Sequence, residues 1–157
     1  MRFTPVVVAL AVVASAACNP FAPSEYYGHF RWTVDGQPFE ASPNGRVALP
    51  VSNSLSLAGA TCAEGGSLNI YFPGPLAPGT YDVASGIMAT WTPDARTGTA
   101  ATTNFEARPG LGGGTLTLTT VTSGKAAGRF TFGMIGGSGT RAVAGEFDLE
   151  LADRTVC

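Results

Sequence analysis

Beyond residue 28 the chain is dominated by alternation of apolar and polar positions, the pattern of strands with one buried face. Phe30, Trp32 and Val34 alternate with Arg31 and Thr33, and Asp35-Gly36 follows as a tight-turn signal. Pro38 to Ala41 is the predicted return strand. Val47, Leu49 and Val51 form the next alternating set, then Leu55 and Leu57 among serines, then Leu68, Ile70 and Phe72. Pro73-Gly74-Pro75 ends that strand, and Pro78-Gly79 precedes a short one at Thr80 to Val83. Ile87, Ala89 and Trp91 make another face, and Thr102 to Ala107 a weaker strand. Leu116 and Leu118 stand among threonines; Phe130, Phe132 and Met134 alternate with Arg129 and Thr131; Phe147, Leu149 and Leu151 alternate with Glu146, Asp148 and Glu150. About ten short strands result, with no 3.6-residue period long enough for a helix in this region. The prediction is an all-β domain: an antiparallel β-sandwich, immunoglobulin-like or related, with a lipocalin-like β-barrel as the alternative.

The first eighteen residues obey a different pattern. Arg2 is followed by the apolar run Pro5 to Ala14 and then by Ser15-Ala16-Ala17-Cys18. The run is too short for a bilayer span, which needs roughly 20 residues, and it reads as an export signal. The site resembles the lipobox of bacterial lipoproteins, with Ala16, Ala17 and Cys18 matching and Ser15 where Leu is usual. The resemblance implies cleavage before Cys18 and lipidation of its thiol and new amine; an ordinary secretory signal that happens to end beside a cysteine is the alternative. Two or more acyl chains anchor stably where one does not. The expected organisation is a signal peptide over 1–17, the lipidated Cys18 with a short tether over 18–27, and one domain over 28–157. Asn19 is not the Asp that commonly marks inner-membrane retention, which favours the outer membrane of the cell envelope.

Composition narrows the chemistry. Charged residues make up 13% of the chain and the net charge is −2, or −3 once Arg2 is removed. No Lys/Arg run is present, which argues against nucleic acid as a partner. With Cys18 taken by lipid, Cys62 and Cys157 remain as one pair in an oxidising compartment, predicted to form a disulfide; two free thiols are the alternative. With one histidine, His29, and a paired cysteine couple, few zinc ligands are left, and a Ser-His-Asp triad would have to use His29. The glycine-rich stretches Pro109 to Thr115 and Gly136 to Thr140 lack the Gly-Lys-Ser/Thr of a phosphate loop and read as turns. No cofactor, metal or catalytic residue is expected.

Two features remain as candidate binding sites. Glu146, Asp148 and Glu150 fall on one strand face, a spacing that suits Ca²⁺ ligands or a glycosidase carboxylate pair only if neighbouring loops help them converge. A solvated face paired with Arg129 or Arg141 is the simpler expectation. Trp32 and Trp91 fall on apolar faces and belong to the core. Tyr71, opposite in parity to Ile70, is the best exposed aromatic.

The segment Phe30 to Ala41 (FRWTVDGQPFEA), the Pro-Gly-Thr-Tyr start at Pro78 to Tyr81, and the Gly-x-Phe starts at Gly128 and Gly145 resemble a family of uncharacterised bacterial lipoproteins with an all-β domain of unknown function. The resemblance implies an all-β, surface-tethered module of unknown role and brings no catalytic residues with it; the expectation is a non-enzymatic module of the envelope that is structural or binds a protein, a glycan or a small ligand. A lipocalin-like carrier with a cavity lined by Phe130, Phe132 and Phe147, and a hydrolase using Asp148 and Glu150, are the alternatives.

Overall fold

The computed structural model describes residues 28–61, 66–93 and 104–151. Eleven strands run through these residues: β1 His29–Val34, β2 Gln37–Glu40, β3 Arg46–Val51, β4 Ser54–Ala60, β5 Ser67–Phe72, β6 Gly79–Asp82, β7 Met88–Thr92, β8 Phe105–Ala107, β9 Gly113–Val121, β10 Lys125–Gly136 and β11 Gly139–Glu150. All pairings are antiparallel, and no α-helix occurs among the described residues. The all-β expectation therefore holds. The strands join in one sheet in the order β2-β1-β11-β10-β8-β7-β5-β4-β3, curled into a half-barrel. The curl is consistent with the barrel-like alternative.

The long β10 makes the curl possible. Ala126 to Gly133 pair with β9, which in turn pairs with β6, while Ile135 and Gly136 pair with β8. The sheet thus forks along one strand. Charged side chains concentrate on β1, β2, β10 and β11, whereas β4, β5 and β7 have none.

The core lies inside the curl. Phe30, Trp32, Phe130, Phe132 and Phe147 face Leu55, Leu57, Leu68, Ile70 and Trp91 across it, all almost fully buried. Phe30 lies within 5.8 Å of Phe130 and 6.2 Å of Phe147, ring centre to ring centre, and Trp32 within 5.9 Å of Trp91. Such offset and edge-on contacts are favourable beyond area burial. Phe130, Phe132 and Phe147 therefore fill the interior with one another and with Phe30.

Local chemistry explains the turns. Asp35 and Gly36 have φ of 49° and 85°, the two positive values of a type I′ hairpin. The Asp35 carboxylate accepts from the Ala142 N–H at 2.9 Å and meets Arg141 at 3.2 Å, fastening the hairpin to β11. The ends of the curl are tied by backbone and by Arg46. Ser42 N–H donates to Ala60 at 2.9 Å. Arg46 Nε donates to the Ala41 carbonyl at 3.0 Å and its Nη1 to the Gly28 carbonyl. Burial pushes the Arg46 guanidinium down from its usual range, Glu40 opposes that shift and Arg31 adds to it.

One strand departs from the expected parity. Val47, Leu49 and Val51 face outward, and Val51 is 56% exposed, while Ala48 is buried. Residues directly opposite each other in a ladder share a face. Ala48 stands opposite the buried Leu57, so the inward leucine of β4 turns Ala48 inward and Val47 and Leu49 out, while Pro50, nearer the strand end, stays exposed.

Candidate functional site

The outward faces of β2, β1, β11, β10, β9 and β6 form a cleft of about 1130 Å³. Each strand contributes through alternation: the residues between the buried Phe30, Trp32, Phe130, Phe147, Leu116 and Leu118 must point the other way. Register then sets them in rows. One row runs Glu40, Arg31, Glu146, Arg129, Thr117, Thr80, each opposite the next. The next runs Pro38, Thr33, Ala144, Thr131, Thr115. Neighbours in a row lie about 5 Å apart and rows about 7 Å apart.

The first row alternates in charge and then turns to hydroxyls. Arg31 pairs with Glu40 at 3.3 Å, and Glu146 lies 3.6 Å from His29. Exposed pairs of this kind add little stability. Arg129 is exposed and, among the described residues, has no hydrogen-bond or ion-pair partner. Thr80 and Thr117 bond hydroxyl to hydroxyl at 3.0 Å, and Thr115 and Thr131 at 3.4 Å. Phe39, half-buried, stands opposite Trp32 in the ladder and packs on it and on Trp91, so its ring lies on the core side of β2, at the margin of the cleft. The Trp32 Nε1–H is buried and, among the described residues, has no hydrogen-bond partner.

The predicted carboxylates are distributed rather than gathered. Glu146 faces His29, and Asp148 is held by Lys125 Nζ at 2.9 Å. Glu150 stands opposite Lys125 in the ladder. Arg129 is beside Glu146 in register but makes no ion pair with it, and Arg141 pairs with Asp35 instead, because Asp35 at the hairpin tip caps the same end of β11. Among the described residues no three His, Cys, Asp or Glu side chains are grouped to hold a metal.

Tyr71 is 36% exposed, as its parity requires, but on the opposite outer face, in a shallow apolar depression with Val47, Leu49 and Met88. The structure therefore brings Glu146 into the cleft and leaves Tyr71 away from it. Cys18, Cys62 and Cys157 lie outside the described residues.

Sequence reasoning missed Arg129 and the threonines as a site. The signal was present as Thr-x-Thr-x-Thr in β9 and Arg-x-Thr in β10, yet single strands of this kind are ordinary solvent faces; only the register across six strands assembles them. No family model, curated protein or solved structure matches this chain.

Proposed function

We propose that this protein is a bacterial envelope lipoprotein, lipidated at Cys18 and held at the outer membrane, whose domain binds a polyhydroxylated ligand, a glycan, without catalysis. The observation that carries the reading is the cleft itself: threonine hydroxyls in two rows beside the exposed Arg129, which has no partner among the described residues. Hydroxyls and a free guanidinium offer both acceptors and donors to sugar hydroxyls. The carboxylates, each facing its own cation or row, favour binding over hydrolysis. The same reading pairs Cys62 with Cys157 as a disulfide, as an oxidising compartment allows.

Calorimetric titration with soluble peptidoglycan fragments and outer-membrane oligosaccharides tests it. Saturable binding is expected, weakened about tenfold by Arg129→Ala through loss of a charged hydrogen bond and about threefold by Thr131→Val, with Tyr71→Ala unchanged. Binding indifferent to Arg129→Ala, or no binding to any of these glycans, would overturn the reading.

A further inference from the structure

The molecule has a second, chemically opposite outer face. Strands β4, β5 and β7 carry no acidic or basic residue, and β3 carries none after Arg46. Their outward side chains align in register: Leu49 lies opposite Ser56, Ser56 opposite Tyr71, and Tyr71 opposite Met88. Val51 is 56% exposed, Met88 47% and Tyr71 36%. Ser56, Asn69 and Thr90 stand among them, so the face is uncharged and largely apolar, the character of a contact surface.

The path of the chain says what covers it. Gly28, where the domain begins, is hydrogen-bonded through its carbonyl to Arg46 at the head of β3. The segment leading back to Cys18 therefore meets the domain beside this face. Gly28 lies ten residues after Cys18, a separation that reaches at most about 36 Å fully extended.

We propose that the uncharged face of β3, β4, β5 and β7 rests on the bilayer that holds the Cys18 lipid. This rests on the lipoprotein reading above. Val47, Leu49, Val51 and Met88 enter the interfacial region, and Tyr71 keeps its hydroxyl at the headgroup level, where amphipathic rings are favoured. The charged strands β1, β2, β10 and β11 resist the same burial because removing unpaired charge from water is costly, so the cleft points away from the membrane. With no Lys or Arg on the contact face, the contact needs neither anionic lipid nor low salt.

Hydroxyl-radical footprinting of the full chain tests this with native side chains. The exported, acylated protein is inserted in phosphatidylcholine vesicles and compared with the Cys18→Ser protein free in buffer. Intact mass first establishes whether Cys18 carries acyl chains. The expected result is a fall of about fivefold in oxidation of Met88 and Tyr71 on vesicles, His29 unchanged, with the protection retained at about 1 M salt, as apolar rather than ionic contact requires. Acylated protein with Met88 fully reactive on vesicles overturns this proposal and leaves the lipoprotein reading standing. Unacylated Cys18 overturns both. Met88 protection that appears in the Cys18→Ser protein and grows with its concentration assigns the face to a second copy and also overturns the bilayer contact.

Discussion

Gly59 shows how much of this core is decided by a missing atom. A Cβ there would lie 2.7 Å from Cδ1 of Phe30, a ring that is fully buried. The ring fills the space above β4 because the strand offers bare backbone at that point. Gly59→Ala must push the ring into its neighbours Trp32, Phe130 and Phe147. A loss of about 2–3 kcal/mol in urea unfolding is expected, the range for overpacking a filled core. Gly133→Ala is the control: nothing lies within 4 Å of the added atom, and a change within about 0.5 kcal/mol is expected. Equal effects at the two positions would show that backbone freedom, not the Phe30 contact, selects these glycines. At this scale the sequence was informative. Phe30, Trp32, Leu68, Ile70, Phe130 and Phe147 are buried where alternation put them, since each sits in a strand with one unambiguous apolar face. The closeness of Phe30 to Gly59 was not legible, because it depends on two strands meeting across the core.

At the scale of elements, β3 is the instructive case. Its sequence Arg46–Val51 is apolar on both faces, so alternation alone could not orient it. The ladder with β4 decided, through Ala48 opposite Leu57. An edge strand has only one neighbour to fix it, and Arg46 supplies the further constraint by donating to the Ala41 and Gly28 carbonyls. Arg46→Met keeps the stem and removes the donors, leaving both carbonyls without that partner. The expected destabilisation is about 2–3 kcal/mol, typical of hydrogen bonds to a charged group. Arg46→Lys should recover less than half of it, since an ammonium lacks the planar fork that spans two acceptors. Denaturant midpoints at constant slope measure both variants; an Arg46→Met protein as stable as the parent would mean that Ser42 and Ala60 close the curl unaided. The candidate cleft is also a property of elements. Arg31, Glu146, Arg129 and Thr117 come from four strands, and no single stretch of sequence signals their common row.

For the whole molecule, the charged outer face and the closure of the core depend on one seam. β1 pairs with β11, His29 opposite Asp148 and Phe30 opposite Phe147, so the first strand of the domain must find one more than a hundred residues later in the chain. The charged row of the cleft crosses that seam between Arg31 and Glu146, and the Gly28 carbonyl that brings the tether to β3 lies at its edge. The charged face does not exist until the seam closes, whereas β3, β4, β5 and β7 pair with one another. The hairpin of β10 and β11 is local and long, but its apolar side, Phe130, Phe132 and Phe147, is covered only when β1 and the far strands arrive. Pairing so distant must pay loop-closure entropy before contacts reward it, and folding is expected in about milliseconds to seconds, the range of β-folds with non-local pairing. Stopped-flow refolding read by core tryptophan fluorescence and by far-ultraviolet circular dichroism should give one coincident phase in that range. A phase of a few microseconds, the time of an isolated hairpin, carrying most of the circular dichroism would show that β10 and β11 fold alone. The cleft-bearing half would then be an autonomous unit, and the apolar face would assemble on it afterwards.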